Sequence, residues 1–136
     1  MGTGLKSRVL TALAAVVPAL VKESELREVR LSDGRDGVTV EIFFTEDQAS
    51  FRYISLWDGS TDLVEIVDYL FQELQDFMSE TSFAWSEARP PCPGHSHPRR
   101  LALEDGALWW LCPSGDPGRK ERAFPELAAF FSDHRG

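Results

Sequence analysis

The sequence predicts an α+β fold in which an antiparallel sheet is packed by helices, with elements in the order α-β-β-β-α-β-β-α. Three observations predict it. Val38, Val40, Ile42 and Phe44 alternate with Thr39, Glu41 and Phe43, the period of two of a strand with one buried face. Leu63, Ile66, Val67, Leu70, Phe71, Leu74, Phe77 and Met78 fall on one stripe of a helix. Asp105-Gly106, a dipeptide suited to a two-residue type I′ turn, separates two apolar runs.

The remaining elements follow in chain order. Leu5, Val9, Leu13, Val16, Val17 and Leu20 recur at helical spacing, so a first helix is expected over Leu5–Val21, kinked or ended by Pro18 because proline lacks an amide donor. A strand-like piece ends at Leu31, and Ser32 to Gly37 is dense in turn residues that lead into the alternating strand. Phe51 to Trp57 is rich in aromatic and branched side chains and closes a three-strand meander. At the start of the second helix Asp62 and Glu65 have the spacing of a capping box. Glu65, Asp68, Gln72, Gln75 and Asp76 lie off its apolar stripe, and the carboxylates there read as a solvated face, not a catalytic pair.

Pro90 to Pro98 holds too much proline and glycine for a helix or a central strand and is expected to be a structured loop. Leu101–Glu104 and Ala107–Leu111 form the hairpin about Asp105-Gly106, Pro113 to Lys120 reads as loop, and Phe124 to Phe131 as a short apolar helix with Pro125 near its start. Neither repeat nor linker interrupts the chain, so residues 1–136 are expected to form one domain.

Composition narrows the function. A net charge of −8 repels phosphate backbones and anionic lipid headgroups, which argues against nucleic-acid and membrane-surface roles. The apolar run Val9–Val21 follows Lys6 and Arg8, as in a secretory signal, but no small-residue cleavage pattern follows and Pro18 interrupts it. It is also shorter than the roughly 20 residues that span a membrane. Two cysteines are too few for a disulfide framework, so a cytoplasmic setting is expected.

Those two cysteines belong to the one constellation with chemistry in it. A turn at Asp105-Gly106 sets Glu104 opposite Ala107, Leu103 opposite Leu108, Leu101 opposite Trp110 and Arg99 opposite Cys112. The loop carrying Cys92, His95 and His97 can then fold back over Cys112, and four ligands suited to tetrahedral zinc could converge. Cys-Pro-Gly-His on one side and Cys-Pro-Ser-Gly on the other are similar to a zinc-ribbon knuckle pair, except that Gly115 stands where a fourth ligand would sit, which leaves His97 or a distant group to complete the set. Three readings stay open here: one structural zinc, a Cys92–Cys112 disulfide, or no link at all, with Cys112 a small buried strand residue and the histidines ordinary polar loop groups. Trp109 and Trp110 point to opposite faces of their strand, so one is expected in the core and the other can mark a partner-binding surface. With no phosphate-binding glycine loop, nucleophile elbow or metalloprotease signature, and no cysteine sure of a base, no catalytic residue is assigned and a non-enzymatic role is expected.

The segment Leu74–Glu80, Trp85, Pro91–Pro98 and Asp105–Pro113, with its CPGHxHP and DGxxWWxCP motifs, resembles a family of small actinobacterial proteins over the last third to half of the chain. That resemblance implies a bacterial intracellular origin and carries no activity with it. The order of elements also looks like that of type III secretion chaperones and YbjN-like proteins. The expected function is a non-enzymatic protein-interaction domain of adaptor, chaperone-like or immunity type, acting on a protein partner or a second copy through a sheet edge or apolar patch. The alternatives are a small zinc-stabilised binding module built on Cys92, His95, His97 and Cys112, and a cysteine-dependent enzyme or redox sensor, which would need an accessible, reactive Cys92.

Overall fold

A computed structural model describes residues 4–34, 37–45, 50–54, 61–81, 87–92, 94, 97–112 and 120–127. Helix α1 (Leu5–Leu20) buries Val9, Ala12, Leu13, Val16, Val17 and Leu20 on one face. Pro18 lies in its last turn, where little helix remains to be broken, and the helix ends two residues later. A single 3₁₀ turn at Glu23–Glu25 leads into strand β1 (Leu26–Gly34), followed by β2 (Gly37–Phe44) and β3 (Ser50–Ile54). These three form an antiparallel meander in the order β1-β2-β3. Its inner face is the even-numbered set of β2, with Val38, Val40, Ile42 and Phe44 all buried.

Helix α2 (Leu63–Ser79) starts after Asp62, whose amide donates to the Glu65 carboxylate at 3.4 Å, the capping geometry expected from the sequence. The hairpin of β4 (Arg100–Glu104) and β5 (Ala107–Leu111) has the expected register, with Leu101 opposite Trp110, Leu103 opposite Leu108 and Glu104 opposite Ala107. Asp105 and Gly106 take φ values of 53° and 75°, the left-handed pair a type I′ turn requires.

The fold is α+β, and it differs from the expected arrangement in three places. The strands divide between two three-stranded sheets instead of gathering in one. A two-residue strand β6 (Glu121–Arg122) pairs with β5 and completes the second sheet. Of the expected last helix the described part is a 3₁₀ turn, Pro125–Leu127, and residues 128–131 lie outside the described residues, as do 55–57 of the expected third strand.

Helix α2 is the element common to both halves. It packs along α1, and it touches β3 of the first sheet and β4 and β5 of the second. One hydrophobic core therefore runs from Val9 through Ile42 and Phe71 to Leu108 and Leu127. Phe77 stacks on Phe44 and meets Phe51 edge-on, while Phe71 meets Trp110 and Phe124 edge-on at centroid distances of 5.3 and 6.3 Å. Among the described residues no helix is long and apolar enough to cross a membrane.

Candidate metal centre

The proline-rich segment before β4 folds into a narrow antiparallel ribbon. Pro91 pairs with Pro98, the Cys92 amide donates to the His97 carbonyl at 3.3 Å, and the Arg99 amide donates to the Pro90 carbonyl at 2.9 Å. Prolines suit this ribbon because they sit where no amide donor is needed. Gly94, in the bend, has φ of 77°, a backbone state with little steric cost for glycine.

The ribbon sets Cys92 and His97 side by side, and the end of β5 brings Cys112 to them. The Cys92 and Cys112 sulfurs and a His97 ring nitrogen all lie within 4.8 Å of one another. His97 Nε2 is 3.7 Å from Cys112 Sγ. A tetrahedron with Zn–S bonds of about 2.3 Å and Zn–N bonds of about 2.0 Å has edges of roughly 3.5 to 3.8 Å, so that separation already suits a shared ion. The imidazole is also oriented. Its Nδ1 lies 3.2 Å from the Pro98 carbonyl, which can only accept, and in the tautomer protonated at Nδ1 the Nε2 lone pair is turned to Cys112. Both cysteines are buried thiols and are not joined as a disulfide.

The three residues Cys92, His97 and Cys112 of the expected set are thus brought together, and His95 lies outside the described residues. The burial of both sulfurs suits ligation better than attack on a bulky substrate, which would have to reach them through the surrounding protein.

Two supports around the ribbon carried no sequence signal. Gln75 of α2 donates from Nε2 to the Arg89 and Arg99 carbonyls, each at 3.0 Å, and so grips both strands of the ribbon at its base. One turn earlier Gln72 donates to the Leu101 carbonyl on the edge of β4 at 3.0 Å. The glutamines of the expected solvated face are therefore turned to the second sheet. Asp68, which hydrogen-bonds Gln72 at 3.3 Å, is half-buried beside them, and burial pushes its carboxyl pKa up. The solvated-face reading holds for Glu65 and Asp76 and fails for Asp68, because the second sheet packs on that side of the helix.

The other support is a buried ion pair three residues before Cys92. The Arg89 guanidinium donates to both oxygens of Glu25 at 2.6 and 2.7 Å, to the Leu20 carbonyl at 3.1 Å and to Glu87. Arg89 and Glu25 are 9% and 10% exposed, so the pair has little competing water. The hydrogen bond from Arg89 holds the Glu25 carboxyl below the usual carboxylate range, against the upward push of burial. This pair ties the ribbon to the end of α1.

The tryptophans divide as their strand requires. Trp110 packs inward against Phe71 and Phe124. Trp109 lies on the outer side, half-buried, with Lys120 Nζ 4.7 Å and the Arg122 guanidinium 5.2 Å from its ring. Comparison with protein-family models, with curated proteins and with solved structures finds no match for this chain.

Proposed function

We propose that the chain is a small, non-enzymatic binding module whose second sheet is stapled to its core by one zinc ion held by Cys92, His97 and Cys112, with His95 as the fourth ligand. The observation that carries this reading is the approach of three soft or borderline donor atoms, from two separate segments, to within 4.8 Å of one another. With His95 as fourth donor the set would be closed, as in a structural zinc, whereas a catalytic zinc would keep that position open to solvent. Bound there, zinc would fix the ribbon against β5 and add its binding free energy to that of folding.

The binding role itself is read from two surfaces. The outer face of the second sheet sets Trp109 among Lys120, which also pairs with Glu104, and Arg122, an aromatic patch rimmed by charges of both signs. Among the described residues strand β1 is an edge of its sheet, on which Val29 is exposed, a place where a protein partner or a second copy could add a strand. Metal analysis of the purified protein on a sizing column tests the proposal. One zinc per chain is expected, lost in Cys92→Ser together with thermal stability; a well-folded protein without metal would defeat the zinc reading and leave the eluted mass to judge self-association.

A further inference from the structure

The two sulfurs of the candidate metal centre are the only two in cysteines of this chain, and both sit in one buried site. We propose that Cys92 and Cys112 form a thiol-oxidation site, at which a hydroperoxide converts the ligand pair to a disulfide and expels the metal. The inference rests on the zinc reading for what is expelled; the pairing of the sulfurs stands on geometry alone.

That geometry has two parts. The sulfurs lie within 4.8 Å of each other, against about 2.05 Å in a disulfide, so the bridge asks for a closing of less than about 3 Å, for which rotation about the Cα–Cβ bonds is the available motion. The segments are also held by protein groups independent of a metal. The Cys92 amide is bonded to His97, Gln75 grips both strands of the ribbon, and Arg89 fixes its base to Glu25 and Leu20. In a small finger that unfolds when zinc leaves, the cysteines part company. Here they stay facing each other, which gives them a high effective concentration for bridging.

The chemistry balances with one hydroperoxide. One thiolate attacks the peroxide oxygen, the O–O bond breaks, and a sulfenic acid forms as hydroxide leaves. The second thiolate attacks that sulfur, the S–S bond forms, and a second hydroxide leaves. Two protons from solvent convert the hydroxides to water when hydrogen peroxide is the oxidant. Two electrons pass from sulfur to oxygen, and zinc departs unchanged as a dication because a disulfide no longer offers thiolate ligands.

The test uses the unmodified full chain, first zinc-loaded and then stripped with a chelator, each exposed to hydrogen peroxide. Zinc release is followed with a chromogenic chelator, and the sulfur products by intact mass and peptide mapping. The expected result is one zinc released per Cys92–Cys112 bridge, a mass lower by two hydrogens, and recovery of thiols and zinc binding after dithiothreitol. A zinc-loaded protein that keeps its metal and thiols, or gains oxygens as sulfinic acid with no bridge, overturns the proposal. The stripped sample separates the two readings. If the protein never takes up zinc and the bridge still forms, the oxidation site stands and the zinc reading falls; if zinc binds at one per chain and the stripped protein forms no bridge, the reverse holds.

Discussion

At the scale of single residues, the geometry of the Cys92, His97 and Cys112 cluster depends on groups outside it. Gln75 supplies one amide nitrogen to two carbonyls on opposite strands of the ribbon. Its replacement by leucine keeps the volume and removes both bonds, so Gln75→Leu is expected to weaken zinc binding by about 10- to 100-fold, the usual cost of losing an outer support, with little change in the helix. Competition titration against a chelator of known affinity reads this directly, and an unchanged affinity would mean that the ribbon is held by its prolines alone. Glu25 makes a prediction in pH. Its carboxyl pKa is depressed in the fold, so the stability it contributes is fully present above the ordinary value of about 4.5 and is lost as pH falls through the lower folded value. Glu25→Gln is therefore expected to lower stability by about 1 to 3 kcal/mol at neutral pH, by leaving the buried Arg89 with only the more exposed Glu87 as countercharge, and to flatten the acid limb of the stability curve. Denaturant melts at pH 7 and at pH 3.5 to 4 compare the two proteins.

At the scale of elements, the strands and helices that alternate or repeat clearly were legible in the sequence, and those built by distant contacts were not. The meander, α2 with its cap, and the β4–β5 register all follow from periods of two and 3.6 residues and from a turn dipeptide with one favoured geometry. Strand β6 escaped because two residues carry no period, and it exists only because β5 has an edge to offer. The Cys92, His97 and Cys112 cluster was legible because hairpin register converts sequence spacing into spatial position. Gln75 and Arg89 were not, since a glutamine on an acidic helix and an arginine 64 residues from its partner look the same as solvated side chains until the fold brings them in. The hairpin register itself can be attacked at its turn. Gly106 holds a φ of 75°, so Gly106→Val is expected to cost about 1 to 2 kcal/mol and to loosen Cys112 from the ribbon, visible as a lower midpoint and weaker zinc binding in one sample.

At the scale of the whole molecule, the two sheets share one core, and the ribbon is fastened to that core by protein contacts before any ion is considered. Metal is therefore expected to raise stability without creating the fold. Chelation should lower the melting temperature while the far-ultraviolet circular dichroism stays near that of the zinc form; a stabilisation of about 4 kcal/mol is expected at a zinc concentration a thousandfold above its dissociation constant. Collapse to an unfolded chain on chelation would show that the clamps are too weak to stand alone.

Helix α2 faces α1 and both sheets at once, and this makes its rotational phase a property of the entire protein. Each residue along a helix turns the next by about 100°. A single residue inserted after Phe71 would leave the first half of α2 in step with α1 while swinging Gln72, Leu74, Gln75 and Met78 away from their partners together. Point substitutions along this helix are graded injuries; a change of one in its length is a change of gear for everything downstream of it.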